Sequence, residues 1–242
     1  MLTVHFEHLG LRPGDRVLDV GCGGGRHIRQ TRLLPGLTAV GLDLGEEQVR
    51  DTVRMLRELD ELPAEAGGTV AEAGTWTVVR GSIYELPFPD GAFDCVIFSE
   101  VLEHLHEDRR ALAEVVRVLA PGGVLALSVP REGPEAVCWA LSRRYRNTPG
   151  GHVRIYNRRR LRRMLTELGF QVYASHFEHA LHSPYWWLKC AVGVDDDDNR
   201  LVRLYHRMLV WDMMRRPALT RTLERWLAPL IGKSVVFYGT KQ

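Results

Sequence analysis

The chain has few cysteines. Its 242 residues include only Cys22, Cys95, Cys138 and Cys190, scattered and without a Cys-x-x-Cys pair. That pattern argues against a disulfide framework and a zinc ribbon, and reads as reduced thiols of a cytoplasmic protein. Long apolar runs are also missing. No stretch of about 18 residues is uninterrupted by charge, so no spanning helix is expected. The opening MLTVHFEHLGLRPGDRV lacks the basic and apolar regions of a secretory leader. Neither sign of charge dominates, with 32 Lys and Arg against 30 Asp and Glu, although the near-balance conceals a local excess of arginine. The remainder is ordinary for a folded chain. It is 45% hydrophobic and 26% charged, enough for one domain carrying an insertion, or at most two small ones.

Apolar runs alternate with helical patterns. Short β-branched stretches at 16–20, 37–43, 76–81, 93–99, 123–129, 170–178 and 234–241 predict strands. Between them, 45–62 places Val49, Val53, Leu56 and Leu59 at three- and four-residue spacing, which predicts a helix with one buried face. Helices are also expected over 109–119, stopped by Pro121-Gly122-Gly123, and over 157–169, ended by Gly169. The Gly/Ala-rich stretch 63–75 reads as an exposed loop. The alternation predicts an α/β fold with a doubly wound parallel sheet. Residues 179–232 break the rhythm, being mostly helical and holding four of the six tryptophans. They read as an insertion into a domain made of 1–178 and 233–242.

The strongest local signal is Val17-Leu18-Asp19-Val20-Gly21-Cys22-Gly23-Gly24-Gly25. Glycines after a first strand let the backbone turn sharply and approach a ligand. The Gly-x-Gly-x-x-Gly of dinucleotide enzymes is absent, because its third glycine falls on Arg26. A carboxylate just before the loop repels a pyrophosphate but suits an ammonium group. Asp43, ending the second strand, is placed to accept from ribose hydroxyls. A ribose joined to a cationic amino-acid end describes S-adenosylmethionine (SAM) better than NAD.

Here the chain resembles the class I SAM-dependent methyltransferases, especially the branch with the ubiquinone and menaquinone biosynthesis enzymes. The resemblance runs from about Leu11 to Glu178. It rests on RVLDVGCGGG, VGLDLG, ELPFPDGAFDCVIFSEVLEHL, RVLAPGGVLALSVP and GHVRIYN. It implies a Rossmann-like, seven-stranded sheet with an antiparallel last strand. It also implies SAM bound by Asp19, Gly21, Cys22, Gly23 and Gly25, by Asp43 and Leu44, by Ser82 and Ile83, and by Ser99. Gly81-Ser82 departs from the family's usual Gly-Asp, replacing a charged partner for the adenine amino group with a hydroxyl.

The acceptor is less legible. DNA amino-methylating relatives carry Asn/Asp-Pro-Pro-aromatic after the fourth strand, where this chain has Ser99-Glu100-Val101-Leu102. The Pro-Cys nucleophile of C5-cytosine enzymes is absent. Residues 131–163 hold ten arginines and two acids, Glu132 and Glu135. Such a cluster binds RNA phosphates, lipid headgroups or an acidic substrate, or is a solvated helix face. Arg143, Arg144 and Arg146 are expected in a loop near the substrate mouth. With only 15 residues before the first strand, the lid is expected from the insertion. Its Tyr185, Trp186, Trp187, Trp211 and Trp226 suit sugar, aromatic or polyprenyl acceptors, peripheral membrane contact, or a small helical core. The run Asp195–Asp198 reads as a solvated turn, since the spacing of a calcium loop is missing.

Transfer to a hydroxyl needs alignment and a base. Glu100, His104, His152, His179 and His182 are the candidates, Glu100, His104 and His152 foremost. Glu100, Glu103 and His104 stand at i, i+3 and i+4, so one helical turn can present all three. Relatives that methylate the 2′-hydroxyl of small RNAs carry the same Glu-x-x-Glu-His with a distant histidine and a divalent metal. By that resemblance Glu100, Glu103, His104 and His152 are metal-ligand candidates. The same Glu-His also occurs in members without metal. The sequence reading is therefore a methyltransferase acting on a small or lipid-linked hydroxyl. An RNA 2′-O-methyltransferase and a SAM-binding module without transfer activity are the alternatives.

Overall fold

A computed structural model of the chain describes residues 2–61, 74–215 and 217–242. Residues 63–73 of the expected loop lie outside that range. Seven aliphatic runs pair into one sheet: β1 (Arg16–Val20), β2 (Thr38–Asp43), β3 (Thr75–Arg80), β4 (Phe93–Ser99), β5 (Leu119–Pro130), β6 (Phe170–Glu178) and β7 (Ser234–Lys241). Their order is β3-β2-β1-β4-β5-β7-β6. The pairs from β3 across to β5 are parallel, whereas β7 runs antiparallel to both β5 and β6. This is the doubly wound sheet with an antiparallel last strand that the sequence implied.

Alternation along each strand gives the sheet two faces. On one, Leu18, Val20, Val96, Phe98, Leu125, Leu127 and Phe237 pack under α3 (Asp108–Val118) and α6 (Arg158–Glu167). On the other, Val17, Cys95, Ile97, Ala126, Val236 and Tyr238 pack against Val4 and Leu9 of the segment before β1. Beside them α1 (Arg26–Arg32) and α2 (Glu46–Glu61) bring Ile28 and Leu56 onto Ala39. α6 begins where expected, because the Asn157 side chain accepts from the Arg159 and Arg160 amides at 3.0 and 3.3 Å. Gly169, at φ 87°, follows its last turn.

Two expectations need correction. Pro121-Gly122-Gly123 is not a break between helix and strand: α3 ends at Val118 and β5 already starts at Leu119. The pairing of β5 with β4 shifts register between Phe93 and Cys95, and that irregularity absorbs the Pro-Gly-Gly. Arg143, Arg144 and Arg146 are not in a loop. They form the short α5 (Arg143–Arg146), directly after α4 (Glu132–Leu141), with the Ser142 side chain capping it by accepting from the Tyr145 amide. Between β6 and β7 lie α7 (His182–Val192), α8 (Arg200–Arg215) and α9 (Ala218–Ile231). α7 packs on α4, so the inserted helices are continuous with the segment after β5. Among the described residues no helix is long and apolar enough to cross a membrane.

Candidate active site

The carboxyl ends of β1, β2, β3 and β4 open on the same side, and the chain after each supplies part of one crevice. After β1 the loop crosses the end of β2, the amides of Gly21 and Cys22 both donating to Leu42 O. Gly21, Gly23 and Gly25 have φ of 67°, 51° and 76°, the left-handed region that glycine alone enters freely. A Cβ on Gly21 would collide with Val101, so the loop lies directly against the segment after β4. A Cβ on Gly23 or Gly24 would meet nothing within 4 Å, which leaves a cradle above the loop. Asp43 holds the loop from the end of β2, accepting from Gly23 N–H and Gly45 N–H at 2.9 Å each.

Asp19 is buried and accepts from the Ile28 amide at 3.2 Å, with His27 Nδ1 3.8 Å from its other oxygen. It ties α1 to the loop. Cys22 is also buried, its sulfur beneath the loop beside Gly41, and burial pushes its thiol up to about 12. What it offers a ligand is therefore backbone. Leu44 is exposed and Ile83 is buried, while the Ser82 hydroxyl accepts from the Tyr84 amide. Ser99 is buried against Ser128 at 2.9 Å, and the Arg26 guanidinium crosses the loop to reach its hydroxyl at 3.3 Å. Arg26 had no assigned part in the sequence reading. Its position after the last glycine is the signal that could have found it.

The segment after β4 departs from the expected helical turn. Glu100 stands before it at φ 58°, and its carboxylate accepts from Ser128 Oγ at 2.8 Å. Only Leu102–His104 form a 3-10 turn. Glu100 is thereby separated from the other three candidates, whereas Glu103, His104 and His152 come together with ligating atoms within 4.8 Å of one another. The GHVRIYN stretch is what brings His152 there. Arg154 and Tyr156 both reach Asp108, at 2.5 and 2.8 Å, and Val153 N–H donates to Glu103 O at 2.8 Å.

Each imidazole in the group is oriented by an acceptor. His104 Nδ1 donates to the carbonyls of Gly150 and Gly151 at 2.8 and 3.2 Å. His152 Nδ1 donates to Glu135 Oε1 at 2.6 Å. Both rings thus keep Nε2 as the nitrogen with a lone pair, that of His104 lying 3.9 Å from Glu103 Oε1. The rings meet edge to face, centroids 5.0 Å apart. Glu135, 2% exposed, also accepts from Trp139 Nε1 and Tyr145 OH. It lies 17 residues before His152 on α4, a contact that no spacing rule reveals. Glu103 is 1% exposed, and its Oε2 has no hydrogen-bond partner among the described residues. Burial, and next the charge of Glu100, hold its carboxyl well above the usual carboxylate range.

His179 and His182 lie elsewhere, at the β6–α7 junction. Both are held below the usual imidazole range by burial, His182 at about 4. Of the insertion's aromatics, Trp187 donates to Pro134 O at 3.0 Å and Tyr185 lies tilted against Tyr205, ring centroids 6.0 Å apart. Trp211 and Trp226 instead are 49% and 75% exposed. The aspartate run engages Lys189, Arg144 and Arg203 in surface pairs, as a solvated turn does.

A model of the Methyltransferase domain family matches residues 4–175. That family is general and does not single out a quinone branch. A sterol 24-C-methyltransferase of Eremothecium gossypii is 32% identical over 146 residues, 60% of this chain and 34% of that protein. An O-methyltransferase of Aspergillus sclerotiorum is 30% identical over 115 residues, 48% of this chain and 39% of the other. The chain spans about a third of the length of the curated relatives it matches. A structure described as a SAM-dependent methyltransferase from Methanosarcina mazei aligns with a TM-score of 0.60 at 18% identity, covering 99% of both chains. At that identity the likeness is one of fold.

Proposed function

The chain belongs to the Methyltransferase domain family, and from that premise we propose that it moves the methyl group of SAM to a hydroxyl of a small or lipid-linked metabolite. One observation carries the acceptor side of this reading. His104 stands on the segment that packs against Gly21, and His152 meets it edge to face from the stretch before α6, each imidazole keeping a lone pair on Nε2.

The residues present fit SAM. The open space above Gly23 and Gly24 accommodates its amino-acid end, and the carboxylate of Asp19 and the guanidinium of Arg26 match its ammonium and carboxylate charges. Asp43 retains lone pairs for the ribose hydroxyls. Leu44 and Ile83 flank the place of the adenine, with Ser82 Oγ at its edge. When bound, SAM supplies a methyl group already activated by the sulfonium. The chain then aligns the acceptor and takes its proton on His152 Nε2 as the carbon–oxygen bond forms and the carbon–sulfur bond breaks. Glu135 holds that imidazole in the required tautomer.

A divalent cation on Glu103, His104 and His152 is a second reading, favoured by the buried, unpartnered Glu103 Oε2. It would ionise the acceptor hydroxyl in place of an imidazole. Chelator treatment decides between the two: undiminished turnover without added Mg²⁺, Mn²⁺ or Zn²⁺ removes the metal. A lipid-linked acceptor draws support from α8 and α9, where Leu201, Leu204, Met214, Leu219, Trp226 and Leu230 are 60–79% exposed. Arginines interleave with them, as in segments that lie on anionic lipid.

The test is turnover of labelled SAM against phenols, sugars, sterols and prenylated quinols, together with mass spectrometry of co-purified ligand. Methylated product at oxygen is expected. Tight SAM binding with no S-adenosylhomocysteine from any acceptor would leave a binding module, and salt-sensitive retention of RNA on filters would redirect the proposal to nucleic acid.

A further inference from the structure

A second cluster lies on the sheet face opposite α3 and α6, away from the glycine loop. Residues 2–9 cross that face over β6 and β7. His5 N–H donates to Tyr238 OH at 2.7 Å, and Tyr173 OH donates to His8 O at 2.6 Å. The turn Phe6–His8 is 3-10, with three residues per turn, so His5 and His8 project from the same side of it. Opposite them, His176 and Glu178 are two residues apart on β6 and share its face. The rings of His5 and His176 stack with centroids 3.9 Å apart, and each lies 6.1 Å from His8.

The hydrogen bonds fix the tautomers. A carbonyl oxygen only accepts, so the contact of His176 Nε2 with Thr3 O at 3.3 Å puts the proton on Nε2. His176 Nδ1 keeps its lone pair, and it is buried without a partner among the described residues. His5 Nε2 likewise donates to Glu178 Oε1 at 2.5 Å, leaving its Nδ1 on the side of Glu7, 3.7 Å away. An imidazole whose other nitrogen donates to a carboxylate or backbone carbonyl is the arrangement that orients histidines on metals. One ring nitrogen each of His5, His8 and His176 lies within 4.8 Å of those of the other two.

We propose that His5, His8 and His176 bind a first-row divalent cation, with zinc the best match to three imidazoles. Tetrahedral zinc at 2.0–2.1 Å from nitrogen needs in-plane lone pairs that converge from ligand atoms about 3.3 Å apart. The near-parallel stack of His5 on His176 does not give that, so binding requires the part-exposed His5 ring to swing out of the stack as well as the exposed His8 ring to turn. Water or a neighbouring carboxylate, Glu7 or Glu178, completes the shell. The ion clamps residues 2–9 onto β6. That fixes Thr3, whose amide donates to His27 on α1 at 3.4 Å and whose hydroxyl sits 3.0 Å from His179 after β6. The clamp therefore joins the glycine-loop helix to the start of the inserted helices.

The experiment uses the full chain, stripped by chelator, with His104→Ala present so that the Glu103 group cannot report. Far-UV circular dichroism confirms the fold. Titration with Co²⁺ is expected to give tetrahedral visible bands at one equivalent, displaced by Zn²⁺, and Zn²⁺ is expected to raise the unfolding midpoint. Adding His8→Ala should weaken Zn²⁺ by roughly tenfold or more and abolish the midpoint shift, and His176→Gln should do the same. Absence of the cobalt bands, or Zn²⁺ affinity unchanged by His8→Ala in the folded variant, would overturn the proposal.

Discussion

Glu135 does its work through another residue. It touches His152 rather than any ligand, so its loss should show in turnover and leave SAM binding alone. Glu135→Ala is expected to lower kcat by roughly 10²-fold, the scale of a mispositioned general base, with KM for SAM unchanged. Glu135→Gln keeps an acceptor for His152 Nδ1 and should retain more activity. A steady-state comparison of the two variants checks it, and equal losses would assign Glu135 to packing alone. Gly21 sits at a different constraint. Gly21→Ala meets Val101 and a φ of 67°, so it should cost about 1–3 kcal/mol in chemical denaturation. Val101→Ala in the same chain removes the collision but not the backbone strain, and should recover only part of the loss.

At the scale of elements, the caps carry measurable weight. Asn157 Oδ1 bonds the first free amides of α6 while its Nδ2 donates to Glu132, so Asn157→Ala should destabilise the chain by about 1 kcal/mol in urea melts. Asn157→Asp keeps the cap but sets a carboxylate against Glu132, and should recover only part of that loss. The Gly169 end of that helix was readable because its chemistry is local, as were β1, β4 and β7, whose aliphatic runs form buried strands. The Arg-rich stretch was not. Arg143, Arg144 and Arg146 show no apolar period, so nothing local separates a short helix from a loop there, and docking on the neighbouring helices decides it. Residues 119–123 misled for a related reason: Pro-Gly-Gly is ordinary turn chemistry, and only the partner strand β4 makes it a strand. The site divides in the same way. Asp43 and the glycines were legible from spacing along two strand ends. The pairing of His152 with Glu135, and the separation of Glu100 from Glu103, depend on contacts and a backbone angle that no pattern encodes.

For the molecule as a whole, buried neutral histidines set its response to acid. Burial, aided by the positive charge of Lys233, takes His182 from its ordinary value near 6.5 to about 4. His179 is lowered in the same direction, by burial and then by His182. Between pH 6.5 and 4 the unfolded chain binds a proton at His182 that the folded chain does not, so stability rises with pH across that window and falls on acidification. Below about pH 4 both states are protonated there and this contribution stops changing. Thermal melts from pH 7 to 4 should show the decline, and His182→Gln should make it shallower, with His179 and His176, the latter lowered by burial to about 4, carrying the remainder. An unchanged slope in that variant would place the acid response elsewhere.

The position of β7 has a consequence in time. β6 is hydrogen-bonded to the sheet only through β7, and β7 fills the gap between β5 and β6. Five strands can pair as soon as residue 130 is made, but β6 must wait for residues 234–241. At roughly 5–20 residues per second that wait lasts several seconds, during which two strand edges stay open and residues 2–9 lack Tyr238 to rest on. The emerging chain is therefore most exposed to misassociation while its inserted helices are being synthesised, and the last strand closes the sheet and the first segment together.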